Sequence, residues 1–378
     1  MSKLSWHNCF SPKRYGDLKS PTDARSVYER DYDRIIFSSA FRRLQNKTQV
    51  FPLPERVFVH NRLTHSLEVV SVGRSLGMMV GQSLADEPSL KDFPDAQEFY
   101  RNQLKTVISA ACLAHDLGNP AFGHSGEEAI SKYFLDRQHD EAFKSQFEPG
   151  EWEDLTHFEG NANALRILTR QFNGRLAGGY QITYSTLAAL LKYPCESLAR
   201  DKRQGKHRSK FGFFQSEKDV MAKLLQELPL RQDSASPLAY FRHPFVYLVE
   251  AADDICYSII DYEDAHRLGI LPFAEVRDDL LALLAADPNT DMARVYRNLE
   301  DLRLDKNESI AYLRAKCISL LVQQCTQVFL QHQEAILAGT FKGSLVGSCH
   351  DLQQALSIIE KKSIGRIYNH ESVVKIEL

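Results

Sequence analysis

Apolar residues return at steps of three and four through most of this chain, and that period confines the backbone to helices. It runs through LTHSLEVVSVGRSLGMMV, LKTVISAACLAHD, FVYLVEAADDICYSIIDYED, VRDDLLALLAA and SIAYLRAKCISLLVQQCTQVFLQHQEAIL. Alternating runs of the strand kind are scarce, so the spacing predicts an all-α fold. One or two short hairpins are expected at most, near Val57 to Val59 or Tyr180 to Tyr184. The Pro-containing segment Phe51 to Arg56 reads as a loop. No internal repeat or low-complexity segment interrupts the pattern.

With 378 residues the chain is long enough for one large domain or two ordinary ones. Hydrophobic residues at 43% and charged residues at 25% exclude a disordered or fibrous class. The net charge of -3 gives no overall pull towards nucleic acid, so any anion recognition must be local. One local candidate is RDKRQGKHRSK from Arg200 to Lys210, with six Lys or Arg among eleven residues. It reads as a solvated loop, or as a contact for polyphosphate or single-stranded nucleic acid if it lies beside a phosphate-processing site. The seven cysteines (Cys9, Cys112, Cys195, Cys256, Cys317, Cys325, Cys349) are scattered and never form CxxC, so reduced thiols and a cytoplasmic location are expected. The N-terminus lacks an apolar signal core, and the longest uncharged apolar run, LLALLAA, is far too short to span a bilayer, so no membrane association is expected.

Polar side chains interrupt the apolar stripes at three places. Asp253 stands in line with Val246, Val249, Cys256 and Ile260. His65 aligns with Val69, Val72 and Leu76 in a helix beginning near Arg62. His115 follows Ile108 and Ala111, just before Gly118, Asn119 and Pro120 end their helix. A bare charge on a core-facing stripe is costly unless a cation or a paired base compensates it. A single histidine there is most simply a satisfied core residue. Together with Asp116, however, these residues supply two imidazoles and two carboxylates, a donor set suited to Mn²⁺, Fe²⁺, Co²⁺ or Zn²⁺.

The pattern H…HD…D, embedded in NRLTHSLEV, AHDLGNPAFGHSGEEAI, FEGNANALRIL and EAADDICYSIIDYEDA, resembles the dGTPase-type deoxynucleoside triphosphate triphosphohydrolases of the HD superfamily. The likeness runs from RRLQNKTQVF to GRIYNHESVVKIEL. It implies an HD-domain helical fold with peripheral helical insertions: a single unit over 1–378, a catalytic core at 61–270 and a C-terminal helical region at 271–378. Relatives continue through further helices beyond VVKIEL, so that last region is expected to be shortened. The resemblance places metal ligands at His65, His115, Asp116 and Asp253, with Mn²⁺ or Mg²⁺ the first choices. It places a catalytic histidine at His124 and its acidic partner at Glu127. Ser125 and Glu128 fit a capping box that would hold His124 at a helix start. Substrate contacts fall on Gln49 and Arg62 for the nucleotide and on Tyr257 and Asp261 for the deoxyribose. Lys192, Tyr193 and Lys210 fall to the phosphates, and Arg366, Tyr368 and His370 to a C-terminal segment near the nucleotide. Asp253, Tyr257 and Asp261 share one helix face at i, i+4 and i+8.

The activity so implied is metal-dependent hydrolysis of a deoxynucleoside triphosphate to deoxynucleoside and tripolyphosphate. His124 would either position water or protonate the leaving 5′-oxygen. No GxxxxGK[ST] phosphate loop is present, in keeping with that chemistry. The rivals are an HD phosphodiesterase or nucleotidase acting on another phosphate ester, and a nucleotide or single-stranded DNA sensor with little turnover. Expected partners are the dNTP substrate, a dNTP or single-stranded DNA effector, and further copies of the chain in a dimer to hexamer.

Overall fold

The computed structural model describes residues 4–16, 24–47, 49, 60–172 and 177–368. The helices that matter for the site are α1 (Val27–Ile36), α2 (Arg62–Ala85), α3 (Leu104–Ala114), α4 (Gly123–Leu135), α5 (Gly160–Thr169), α6 (Tyr184–Leu190), α7 (Pro244–Arg267), α8 (Phe273–Ala285), α9 (Lys306–Gln331) and α10 (Gln353–Lys362). All five periodic segments are helical, the last broken at His332 before a short helix, Gln333–Leu337. Among the described residues the fold is all-α apart from one small hairpin.

Local chemistry sets the helix starts. Asn61 caps α2, accepting from the amides of Leu63 and Thr64 at 3.1 and 3.0 Å, while its own amide donates to Thr64 Oγ1 at 3.0 Å. That reciprocal cap places Arg62 and His65 on the first turn. At the start of α7, His243 accepts from the Phe245 amide and Pro244 occupies the first helical position, where its missing N–H costs nothing.

The centre is a layer of α2, α3 and α7, with α1 and α6 packed on α3, α9 across α7 and α2, and α8 against α9. The closeness of α2 to α3 depends on small residues: a Cβ on Gly77 would lie 2.9 Å from Lys105 Cα. One continuous apolar core, including Leu76, Val80, Ile108, Phe245, Ile255 and Phe329, fills the space between these helices. A smaller cluster of Ala162, Cys195, Phe211 and Phe214 supports the turns beside the site.

The hairpin is β1 (Gln232–Ala235) paired antiparallel with β2 (Leu238–Tyr240), not the 180–184 segment. Thr183 bridges Arg14, donates through its amide to Asp31 Oδ2 at 3.0 Å and caps α6. Its hydrogen bonds are therefore committed to a buried carboxylate and a helix start. Residues Val57 to Val59 and the Phe51 to Arg56 segment lie outside the described residues. Arg200 to Lys210 is irregular, with two single turns, Lys202–Gln204 and Lys206–Arg208. Among the described residues no helix is long and apolar enough to cross a membrane.

Candidate metal centre and active site

Four side chains from three helix regions meet at the base of a cavity of about 510 Å³, with His115, Asp116 and Asp253 in its lining and His65 buried behind them. His65 projects from the first turn of α2, His115 and Asp116 follow the end of α3, and Asp253 lies mid-way along α7. His65, His115 and Asp116 each present a donor atom within 4.8 Å of the other two. Asp253 Oδ1 joins them, 3.2 Å from His65 Nε2 and 3.6 Å from His115 Nε2. His115 Nε2 is also 3.7 Å from Asp116 Oδ1.

The imidazole of His115 shows what this cluster is built for. Its Nδ1 donates to the Cys112 carbonyl at 2.7 Å, which leaves the Nε2 lone pair facing the cluster. That nitrogen is buried and has no hydrogen-bond partner among the described residues. A buried, oriented and unsatisfied imidazole nitrogen facing two carboxylates fits a divalent cation, and the carbonyl behind it is the kind of support such ligands carry. Asp116 is held on both sides: Arg62 Nη1 donates to Oδ2 at 2.7 Å and Asn119 Nδ2 to Oδ1 at 2.6 Å. Burial alone would raise the Asp116 carboxyl, but Arg62 and the two histidines bring it below the ordinary value. Burial likewise opposes ionisation of Asp253, and the hydrogen bond from His65 with the charges of His115 and Lys192 brings it well below. Both acids are thus anionic over the whole neutral range. Asp253 keeps 30% of its side chain exposed, so it stands at the edge of the apolar stripe, opening on the cavity.

The loop between α3 and α4 is seated on α5. A Cβ on Gly118 would fall 2.0 Å from the Gly160 carbonyl oxygen, so only glycine allows this approach. Asn163 Nδ2 donates to the Gly118 carbonyl, and Lys47 Nζ to the carbonyls of Leu117 and Asn119. Glu127 ties the loop to both neighbours, accepting from the Gly160 amide and from His124 Nδ1, each at 2.7 Å. The Glu127 hydrogen bond raises the His124 pKa against partial desolvation. Burial pushes Glu127 up, but the hydrogen bond from His124, the charge of Lys210 and the Gly160 amide bring it below its ordinary value.

The capping box expected of Ser125 and Glu128 is not formed. Gly123 adopts φ +55° and starts α4 directly from the Pro120 turn, so Ser125 already lies inside the helix and Phe122 stands at the N-cap without a side-chain bond. His124 is therefore in the first turn, largely exposed to the cavity and fixed by Glu127.

Most of the remaining expected contacts do line this cavity: Gln49, Arg62, Lys192, Tyr193, Lys210, Tyr257 and Tyr368. Tyr257 stacks on Tyr368 with ring centroids 5.1 Å apart and planes at 13°. Gln49 Oε1 is buried with no hydrogen-bond partner among the described residues. Two assignments depart from expectation. Asp261 is not in the lining; it sits behind the two rings and accepts the Tyr368 hydroxyl at 3.1 Å, with burial pushing its pKa to about 7. Arg366 is not in the lining; its guanidinium donates to both Glu275 oxygens at 2.8 Å. His370 lies outside the described residues.

Residues not anticipated are Asn119, Asn161, Phe122 and Glu250 in the lining, and Lys47 and Arg242 behind it. Glu250 carried a signal, since it precedes Asp253 by three residues on the same helix. Lys47 and Arg242 are defined by partners far away in the chain, the carbonyls of Leu117 and Lys192.

Residues 62–178 match the HD domain family, and that match includes His65, His115 and Asp116 but not Asp253. The fold and site thus define an HD-domain protein. The chain is 41% identical to a deoxyguanosinetriphosphate triphosphohydrolase-like protein of Synechocystis sp., covering 99% of this chain and 83% of that one. It is 40% identical to one of the same description from Pseudomonas aeruginosa, over 96% of this chain and 79% of that one. It is 30% identical to the deoxyguanosinetriphosphate triphosphohydrolase of Salmonella typhimurium, over 100% of this chain and 78% of that one. The chain belongs to the deoxyguanosinetriphosphate triphosphohydrolase-like family.

Proposed function

We propose that this protein hydrolyses deoxynucleoside triphosphates to deoxynucleoside and tripolyphosphate, with a divalent metal, Mn²⁺ or Mg²⁺, held by His65, His115, Asp116 and Asp253. The observation that carries this reading is the unsatisfied Nε2 of His115 facing Asp116 and Asp253. When bound, the metal supplies a Lewis acid for the α-phosphate and lowers the pKa of water. Arg62, Lys192 and Lys210 supply positive charge to the phosphate oxygens as negative charge builds there. Water attacks the α-phosphorus, the bond to the 5′-oxygen breaks, and protonated His124 gives its proton to that oxygen. Glu127 orients the imidazole and favours its charged form. The Tyr257 ring, braced by Tyr368 and through it by Asp261, packs against the sugar where a 2′-hydroxyl would project, which selects deoxyribose.

The catalytic core in this reading is 61–270, with Tyr368 of the C-terminal region completing the wall. A cytoplasmic location is supported by the cysteines, all seven of which are buried free thiols. The proposal includes assembly into a homo-oligomer between dimer and hexamer, which light scattering measures, and a dNTP or single-stranded DNA effector. Incubation with each dNTP and Mn²⁺, followed by phosphorus NMR, tests the chemistry. Tripolyphosphate as the sole phosphate product supports it; orthophosphate or pyrophosphate in its place overturns it.

A further inference from the structure

A second cavity of about 360 Å³ adjoins the Lys192 wall. Its lining contains five cationic side chains, Arg203, Lys206, Arg231, Arg242 and Lys342, and no Asp or Glu. Arg231 and Lys342 are exposed and have no carboxylate partner among the described residues; Arg231 reaches only the Ala338 carbonyl and the face of Phe241. Arg203 is paired with Asp201, and Lys206 and Arg242 share the single carboxylate of Glu250, so the cations around this small concavity outnumber their acids and focus a field that draws in a multivalent anion. Three of the five are arginines, whose planar forks suit phosphate oxygens.

The rings in this wall are already engaged. Phe241 carries the His207 ring at 4.8 Å and the Arg231 guanidinium at 4.6 Å, and Phe341 packs on Tyr247 and His332. No bare ring is offered to a nucleobase, so the cavity favours a polyphosphate without one.

Glu250 separates the two cavities. It lines the active site, and its carboxylate is almost wholly buried. From the second cavity it accepts Arg242 at 2.9 Å and Lys206 at 2.8 Å; from the active site it faces Lys192 Nζ at 3.5 Å. Arg242 also donates to the Lys192 carbonyl at 3.0 Å. One carboxylate is thus shared between cations of both cavities. We infer that the second cavity binds inorganic polyphosphate and that its occupancy weakens the active site's hold on substrate phosphates. Lys206 is the most exposed of the three cations on Glu250 and is the one an anion can draw away. Glu250 then leans on Lys192, and Lys192 has less charge to give to substrate. The binding stands on the cavity alone. That the natural ligand is tripolyphosphate, a feedback by product, rests on the proposed function.

The test is titration calorimetry of the full chain with sodium tripolyphosphate, beside inhibition kinetics. Wild type is expected to show two binding events and mixed inhibition. The double variant Arg231→Glu/Lys342→Glu, at surface positions outside the catalytic machinery, is expected to lose one event by at least tenfold and to show competitive inhibition only. Lys206→Met is expected to keep the second event at reduced affinity and to raise KM without tripolyphosphate, with kcat little changed. A double variant that binds tripolyphosphate as wild type does, with one event or with two, overturns the inference. So does a second event better filled by a dNTP or by a single-stranded oligonucleotide than by tripolyphosphate. The calorimetry reads out whether or not dNTP turnover is found, so failure of this site and failure of the proposed reaction remain distinct.

Discussion

At the floor of the active-site cavity, imidazoles and carboxylates face one another across buried helices, and His115 Nε2 has no hydrogen-bond partner among the described residues. Along its wall, each cation proposed to bind phosphate already leans on an acid: Arg62 on Asp116, Lys192 on Glu250, Lys210 on Glu159. The floor holds anionic charge in excess and requires a cation. The wall stores cationic charge in pairs that a triphosphate can take over, because an ammonium shared with a carboxylate at 3.2 to 3.5 Å is positioned without being neutralised entirely. His124 stands between the two, in the first turn of α4, exposed to the cavity and fixed by Glu127.

The largest break in this contrast is expected at His124. His124→Ala removes the proton donor and should lower kcat between about 100-fold and 10,000-fold. Metal content, measured by atomic emission, should stay at the wild-type level, since His124 belongs to neither floor nor wall. Loss of metal in this variant would erase the distinction.

Next comes Arg62, which serves both regions. Arg62→Lys keeps a charge for phosphate but gives up the planar fork that fixes Asp116, so metal affinity should fall roughly 10-fold to 100-fold. Competition with a fluorescent chelator measures this. An unchanged affinity would mean that Asp116 is fixed without its arginine.

A smaller effect concerns pH. The Glu127 hydrogen bond raises the His124 pKa, so a His124 acting as acid is active when protonated and fails as pH rises through that raised value. The kcat profile should therefore have an alkaline limb above the ordinary histidine range. Glu127→Gln removes the carboxylate charge that favours the imidazolium, and the limb should move to lower pH. An acid limb in its place would assign His124 the role of base.

The smallest effect is expected at Arg366. Its pair with Glu275 is partly exposed, contributing roughly 1 kcal/mol or less. Arg366→Ala should leave KM for dNTP within about twofold of wild type, on the same footing as other surface pairs. A tenfold rise would return Arg366 to the nucleotide.

How much of this was legible in the sequence follows from the same contrast. His65, His115 and Asp253 were visible because a polar group on an apolar helical stripe is a conflict that needs no tertiary structure to recognise. The long helices were visible for the reason that their period is local. Arg242 and Lys47 were not, since each takes its meaning from a partner far away in the chain, the Lys192 and Leu117 carbonyls respectively, and Glu250 signalled its place beside Asp253 but not its pairing with Lys206. The hairpin at Gln232 to Tyr240 escaped because its first strand is largely exposed and carries no alternating apolar pattern. Tyr368 lines the cavity, whereas Arg366, two residues earlier, pairs with Glu275; a short polar motif does not tell which way each side chain points.

The central claim is that His65, His115, Asp116 and Asp253 share one divalent ion. Anomalous diffraction at the manganese edge, on crystals soaked in Mn²⁺, tests it most directly. The account predicts a single strong peak within ligand distance of all four side chains. A peak elsewhere, or one in contact with fewer than three of the four, would contradict it.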